Sequence, residues 1–176
     1  MADVREVLGD PASVGVWSVV PDQSTIAVKA KSMWGVLPVK GRFTEFSGDG
    51  QLTSEKTVFG RIDIKAASLQ TGNAKRDHHL HSADFFDAEK CPDISVVVTA
   101  SAIQDDTADL RAQLSIKGTT KALPLKTHVT VLGEGAVRLT TEGTLDRQEF
   151  GVDGNLMGSV GDKVTISGDV VFRRAG

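Results

Sequence analysis

The residue types best suited to chemistry are concentrated in one stretch near the middle of the chain. His78, His79 and His81 lie beside Asp77 and Asp84, and imidazole with carboxylate suits zinc, whose open fourth position suits hydrolysis. Consecutive histidines, however, cannot easily point at one ion from a regular element, and the fixed spacing of zinc signatures is absent. We therefore predict that Asp77 and His79 hold a tight loop by hydrogen bonds, with no metal ion and no cofactor. A metal-dependent enzyme using the three histidines is the alternative.

Other catalytic arrangements are weaker still. Cys91 precedes Pro92 with no identifiable activating partner, which favours an inert thiol over a nucleophile. No serine lies in a nucleophile-elbow pattern, and no glycine run resembles a phosphate-binding loop. Asp105 and Asp106 lie in a predicted exposed turn, and the chain contains no tyrosine. The sequence predicts a protein that is not an enzyme.

Two arginines could present a cation to a ligand headgroup. The guanidinium groups of Arg76 and Arg147 match phosphate in a bidentate manner. Carboxylates are close in sequence to both, namely Asp77, Asp146 and Glu149. Ion pairs with these neighbours are the favoured interpretation, and headgroup binding is the alternative.

Length and charge bound the class of protein. The chain has 176 residues and 18.7 kDa, with 40% hydrophobic and 24% charged residues, which fits one globular domain with a substantial core. Twenty Lys and Arg residues against 23 Asp and Glu give a net charge of -3 and a pI near 5.8, which argues against nucleic acid as a partner. The single cysteine excludes an intramolecular disulfide and fits a reducing compartment.

The first twenty residues bear on localisation. Asp3, Arg5, Glu6 and Asp10 interrupt every apolar stretch, and Pro11 disfavours a helix, whereas a secretory signal needs an unbroken apolar run. No apolar run elsewhere approaches the roughly 20 residues of a membrane span. The sequence predicts a soluble, cytoplasmic protein with no integral membrane segment.

Short runs that alternate with a period of two dominate the rest of the chain. Ile26, Val28 and Ala30 share one face, whereas Lys29 and Lys31 take the other, as in half-buried strands. The same alternation recurs in Val58–Lys65, Leu110–Lys117, Leu123–Val131, Val137–Thr141 and Lys163–Arg173. About eight such strands joined by short turns predict an all-β, antiparallel, eight-stranded barrel, whose closure removes exposed edges.

Some segments depart from the alternation. Thr71–Cys91 is polar and predicts a short helical or loop segment, within which Ser82–Asp87 forms a helical turn that caps one end of the barrel. Trp34–Val36 is typical of a turn. Residues 1–15 are predicted to be a flexible N-terminal arm, and residues 16–176 a single barrel domain.

Four motifs in register carry a family resemblance across nearly the whole chain. They are Ser68–Gly72 with Arg76–Asp87 and Cys91–Pro92; Ala112–Lys121 with Leu123–Leu125; Arg147–Gly151; and Trp17 with Asp22 and Ser24. Together they resemble the YceI family of polyisoprenoid-binding proteins. The resemblance implies an elongated lipocalin-like barrel whose apolar tunnel holds a long isoprenoid or a similar lipid.

The tunnel would be lined by the apolar face of the strands. The predicted ligand-binding residues are Ile26, Val28, Ala30, Phe43, Ile62, Ile64, Phe85, Phe86, Val96, Val98, Leu114, Ile116, Leu125, Val129, Leu139, Ile166 and Val170. The alternation alone favours a dry, filled core, whereas the resemblance favours an open tunnel. Small residues at Ala30, Gly41, Gly60, Ala112 and Gly168 leave room inside a barrel.

The sequence therefore predicts non-enzymatic binding and transport of a long-chain isoprenoid or similar amphipathic lipid. The alternative is a ligand-free, stress-related structural or interaction barrel with a filled core. A homodimer is compatible with open end loops, although the sequence indicates no surface for it.

Overall fold

The computed structural model describes residues 3–30, 39–133, 135–152, 154 and 162–175, so the turn predicted at Trp34–Val36 lies outside the described residues. The elements are α1 (Val4–Gly9), β1 (Gly15–Val19), β2 (Thr25–Ala30), β3 (Val39–Phe43), β4 (Phe46–Leu52), β5 (Val58–Lys65), β6 (Leu69–Gln70), α2 (Ala74–His81), β7 (Asp93–Gln104), β8 (Thr107–Ile116), β9 (Thr119–Gly133), β10 (Ala136–Asp146) and β11 (Lys163–Arg174). Short 3₁₀ turns are formed by Pro11–Ser13, Pro21–Gln23, Ala66–Ser68 and Arg147–Phe150.

The strands form an antiparallel barrel. Their order is β1-β4-β5-β7-β8-β9-β10-β11, and pairing of β1 with β11 closes this ring of eight. Three shorter strands continue from β11 in the order β2-β3-β6, so β1 and β2 use successive parts of the same edge of β11. The predicted eight-stranded, all-β barrel is confirmed.

Alternation explains which side chains enter the core. In β8, Leu110, Ala112 and Leu114 are buried, and the residues between them are exposed. In β9, Leu123 and Leu125 are buried in the same way. Because successive side chains of a strand point to opposite faces, every second residue of these strands enters the interior.

A bend between β1 and β2 shows what the motif of Trp17, Asp22 and Ser24 does. The Ser24 hydroxyl donates to the Val20 carbonyl at 2.7 Å and accepts a hydrogen bond from the Val171 backbone N–H at 2.9 Å. The Val20 N–H donates to the Val171 carbonyl at 2.8 Å. These bonds provide partners for the N–H and the carbonyl of Val171 at the point where the neighbour of β11 changes from β1 to β2, beside the Pro21–Gln23 turn.

The helical segment between residues 71 and 91 is present, but its helix lies upstream of the predicted Ser82–Asp87 turn. Asn73 caps the first turn of α2 by accepting from the Arg76 backbone N–H at 3.0 Å. At the other end, the Ser82 hydroxyl donates to the His79 carbonyl and ends the helix. The two caps fix the helix at Ala74–His81, and Ser82–Asp87 forms the turn that follows.

Candidate functional site

A cavity of about 140 Å³ lies inside the barrel beneath α1. One wall is formed by Val4, Val7 and Leu8 of the helix, and Trp17 and Phe172 contribute from the strands. The spacing of the three helical residues places them on one side of the helix. The helix therefore covers this end of the barrel with an apolar face.

Charged groups hold α1 in this position. Asp3 caps the helix by accepting from the Glu6 backbone N–H at 2.9 Å, and the Arg5 guanidinium pairs with Asp105 in the turn between β7 and β8. The hydrogen bond from Arg5 to Asp105 raises the pKa of Arg5. Val4 is 8% exposed, so the helix contributes to the core. Detachment of residues 1–15 as a flexible arm stays a prediction.

A second cavity, of about 90 Å³, continues the first toward the middle of the barrel. Five residues border both, namely Gly60, Val98, Leu110, Leu139 and Phe172. At Gly60, the absence of a side chain leaves space where the two cavities meet. The two cavities are therefore neighbours that share part of an apolar wall.

The end of the barrel near α2 is much more tightly filled. A cavity of about 40 Å³ lies there between Phe43, Phe86 and Ile166. Ile166 also borders the middle cavity, so its side chain lies at the narrow point between the two. The rings of Phe43 and Phe86 meet edge to face at 6.5 Å between centroids.

The structure brings most of the predicted ligand-binding residues to these cavities. Fourteen of the seventeen border them, namely Ile26, Val28, Phe43, Ile62, Ile64, Phe86, Val96, Val98, Ile116, Leu125, Val129, Leu139, Ile166 and Val170. The other three, Ala30, Phe85 and Leu114, are buried in the packed core. Contact of any of them with a ligand stays a prediction.

Sequence reasoning missed the part of the cavity nearest α1. Its additional lining residues are Val4, Val7, Leu8, Trp17, Leu52, Val58, Ile103, Leu110, Val131, Val137 and Phe172. The spacing of Val4, Val7 and Leu8 was the available signal, because it is typical of a helix with one apolar face.

Polar contacts around α2 close the opposite end. Asp77 accepts hydrogen bonds from the backbone N–H of Thr71 at 2.9 Å and from its hydroxyl, and Arg76 donates to the Thr71 carbonyl at 2.9 Å. His79 pairs with Asp84 at 2.8 Å. The bonds predicted for Asp77 and His79 are thus present, and they fix the loop on each side of the helix.

Arg147 is buried beside the tightly filled end. One of its terminal nitrogens donates to the carbonyls of Val152 and Gly154 at 2.7 and 2.8 Å, and the guanidinium lies 5.7 Å from the centroid of the Phe85 ring. Asp162 lies 3.7 Å from the other terminal nitrogen. Arg147 thus ties the segment after β10 to the barrel.

The histidines and the cysteine are dispersed. The ring of His81 bonds to the Leu69 carbonyl at 3.0 Å, and His128, on the outer face of β9, pairs with Asp106 at 3.0 Å. Cys91 is a half-buried free thiol. Within the described ranges, no three potential metal ligands come together as a site would require.

The fold and the enclosed apolar space define a small antiparallel barrel with an internal cavity. A model of the YceI-like domain matches residues 17–172, and the chain therefore belongs to the YceI-like family. Across the described residues, no helix combines the length and apolar character needed to cross a membrane.

Relatives and solved structures agree with this family. The UPF0312 protein of Pseudomonas putida strain F1 is 35% identical over 126 residues, which cover 66% of this chain and 65% of that protein, so the match spans just under two thirds of this relative's length. Burkholderia cenocepacia BcnA superposes with a TM-score of 0.79 at 23% identity, covering 87% of this chain and 98% of that one. A polyisoprenoid-binding domain from Saccharophagus degradans gives 0.75 at 14% identity, covering 90% and 98%. At these identities the two structures show the shared fold alone.

Proposed function

We propose that this protein binds and carries a long-chain isoprenoid or a similar amphipathic lipid inside its barrel, without catalysing a reaction. The observation that carries the proposal is the pair of adjoining apolar cavities that extends from beneath α1 past Gly60 into the middle of the barrel. An apolar chain in this space is removed from water, which stabilises the complex by roughly 25 cal/mol per Å² of apolar surface.

The dimensions support an elongated ligand. On β10 the inward residues that border the two wider cavities extend from Val137 to Thr141, and on β11 from Ile166 to Phe172. At about 3.3 Å per residue and a strand tilt near 40°, the stretch on β11 corresponds to roughly 15 Å along the barrel axis. The Saccharophagus degradans domain of the same fold is described as polyisoprenoid-binding, which supports an isoprenoid as the ligand class.

Native mass spectrometry of the freshly purified protein tests the proposal. We expect a discrete mass increment that disappears after organic extraction, and the extract should contain a prenyl or acyl lipid. Extracted protein should then take up added all-trans-retinol, with energy transfer from Trp17, which borders the cavity. A ligand-free mass from several expression hosts, with no uptake of added isoprenoids, would favour the filled-core structural barrel.

Two further expectations belong with this proposal. The free thiol of Cys91 supports a reducing compartment such as the cytoplasm, which cell fractionation tests. A homodimer stays a prediction, and light scattering coupled to size-exclusion chromatography tests it.

A further inference from the structure

The wall of the barrel contains a seam between β9 and β10. These strands pair from Gly133–Ala136 to Lys126–Glu142. Beyond that point β10 continues to pair with β11 as far as Asp146, and β9 continues to pair with β8 as far as Thr119. Although both stretches are fully described, the ladder between β9 and β10 does not extend into them, so the pairing of these two strands stops before residues 119–125 and 143–146.

The sequence at the seam explains the missing pairing. The Pro124 carbonyl lies 3.1 Å from the position that a side chain at Gly143 would start from, so the backbone of Pro124 faces β10 at this point. Proline has no N–H and cannot donate to a ladder. The ends of the Leu123 and Leu125 side chains lie 3.0 and 2.9 Å from the same position. Two flexible leucine side chains, rather than backbone hydrogen bonds, therefore close the seam above a glycine.

A broad, open groove of about 1000 Å³, whose lining includes several threonines, lies on the outer surface beside the seam. Pro124 and Gly143 line it at the seam itself. Thr141, Ser167 and Gly168 border both this groove and the middle cavity. The groove and the apolar interior are thus separated by the thickness of one strand.

A pair of hydroxyl groups lies at the top of the seam. Thr127 and Thr141 occupy inward positions, with 2.8 Å between their hydroxyl oxygens. Thr127 is 6% exposed, and both residues also line the outer groove. A hydroxyl both donates and accepts hydrogen bonds, so this pair can exchange its mutual bond for one to a polar group arriving from the groove.

We propose that the seam is a lateral port, through which the apolar chain passes between Leu123 and Leu125 while its polar head rests in the outer groove against the hydroxyls of Thr127 and Thr141. This inference rests on the proposed lipid-binding function. The positive charge of Lys126 in the groove is offset by the carboxylates of Glu142 and Asp169. The groove therefore favours an uncharged head group that forms hydrogen bonds. The ligand class is an isoprenoid alcohol.

The charges of the groove argue for this head group. His128, Glu142 and Asp169 line the outer groove together with Lys126. Asp169 pairs with Arg138 at 3.0 Å. Mixed charge provides no net attraction for a diphosphate, whereas hydroxyl groups suit an alcohol.

The two barrel ends are less suited to uptake. The end near α2 is closed by buried aromatic rings and by hydrogen bonds around Asp77 and Arg147. At the other end, α1 covers the cavity and is tied to the β7–β8 turn through Arg5 and Asp105. Opening the seam breaks no pairing of the β9–β10 ladder, because that ladder ends at Lys126–Glu142.

Two cross-links compare the routes, both in the Cys91→Ser background. Pro124→Cys with Thr144→Cys joins the strands across the seam, and Arg5→Cys with Asp105→Cys, bridged by a short bis-maleimide because an arginine side chain reaches further than a disulfide, ties α1 over its cavity. Stopped-flow uptake of all-trans-retinol is followed by energy transfer from tryptophan. We expect the oxidised seam cross-link to slow association about tenfold relative to its reduced form, since the port must then open against a covalent bond. The helix cross-link should leave the rate within about twofold.

Truncation of Leu123 and Leu125, the side chains that close the seam, provides a test that needs no cross-link. Leu123→Ala with Leu125→Ala should accelerate both association and release of retinol. Leu69→Ala with Leu80→Ala truncates two leucines that are equally buried but border none of the cavities described above, and it serves as the matched control. Faster exchange in the first variant alone supports the port. Slower uptake with the helix cross-link, or equal rates in both truncations, overturns it. If reduced, unmodified protein binds no retinol at equilibrium, the proposed function fails as well.

The head-group subsite is tested by Thr127→Val with Thr141→Val, which keeps shape and removes both hydroxyls. We expect the Kd for retinol to rise about fivefold, and the Kd for axerophthene, the hydrocarbon that lacks the hydroxyl, to stay unchanged. Retinyl phosphate should bind no more tightly than retinol. Equal losses for retinol and axerophthene, or a preference for the phosphate, would exclude an alcohol subsite here.

Discussion

The two ends of the barrel are closed by different means. Near α2 the interior narrows to about 40 Å³, and Phe85 is only 1% exposed beneath His79 and Arg147. Near α1 the interior widens to about 140 Å³ beneath one short helix. One end is sealed by aromatic packing and directed hydrogen bonds, whereas the other is covered by three apolar side chains.

The residues that identify the family and the residues that leave the barrel interior open lie in different parts of the barrel. The most distinctive motifs, Arg76–Asp87 and Arg147–Gly151, lie at the sealed end, where they build the closure. The space itself depends on ordinary alternation and on glycines such as Gly50 and Gly60, which face inward beside Phe172. A motif can therefore identify this fold without marking where its ligand lies.

The largest expected effect is at the sealed end. Phe85→Ala should lower the free energy of unfolding by about 4 kcal/mol, because it leaves a void among close-packed neighbours. Phe172→Ala is the control, and it should cost about 2 kcal/mol since Phe172 already borders open space and makes fewer contacts. Urea denaturation measures both. Equal losses would show that the two ends are packed alike.

The second test removes the buried cation of the sealed end. Arg147→Met should destabilise the protein by about 3 kcal/mol, because the carbonyls of Val152 and Gly154 lose their donors. Lipid occupancy by native mass spectrometry should not change. Arg61→Met, at an exposed ion pair, is the control and should leave the denaturation midpoint unchanged. Lost occupancy in a variant that stays folded would point to a headgroup role for Arg147.

Filling the wide end should separate stability from binding. A Cβ atom at Gly50 would lie 3.6 Å from the Phe172 ring, an ordinary contact that leaves the γ-carbons of a larger residue to enter the cavity. Gly50→Val should therefore stabilise the fold by about 1 kcal/mol, since valine suits a strand better than glycine, while weakening retinol binding about tenfold as it occupies the cavity. Thermal unfolding and fluorescence titration measure the two effects. Unchanged affinity would place the ligand elsewhere.

The smallest effects are expected at the ion pairs on the outer surface. A hydrogen bond to Asp93 raises the pKa of Lys65 above its ordinary value of 10.5, so the folded state holds this proton more tightly. The stabilisation is fully present below pH 10.5 and is lost as pH rises through the higher folded pKa. Lys65→Met should therefore differ slightly from the unmodified protein at pH 7 and not at strongly alkaline pH. A difference that grows with pH would reverse the sign of this coupling.

The sequence predicts the barrel well where alternation is strict. Leu110–Ile116 and Leu123–Val131 show a period of two that only one fully buried face explains, and both strands are found. The sequence predicts a helical segment within Thr71–Cys91 but not its bounds, because the limits of Ala74–His81 depend on the caps formed by Asn73 and Ser82. Val4–Gly9 was missed because the charges that face solvent from α1 also interrupt its apolar run.

The seam could not be derived in the same way. Which strands pair, and where a ladder stops, depends on the relative stagger of β9 and β10, and this is a property of the closed ring. Pro124 within an alternating run was the visible sign, because proline is unfavourable inside a sheet. Cavity size cannot be read from the sequence either. It depends on the space left between residues that border the same cavity, such as Ile166 and Gly60.

The pairing of β1 has a consequence for the order of assembly. Trp17 in β1 pairs with Arg174 in β11, at opposite ends of the chain, and contacts so far apart in sequence form slowly because a long loop must first be closed. During synthesis, β1 must therefore wait for β11 before the ring can close. Until then the growing sheet keeps two free edges and an uncovered apolar face, so closure of the ring is a late step in the assembly of this barrel.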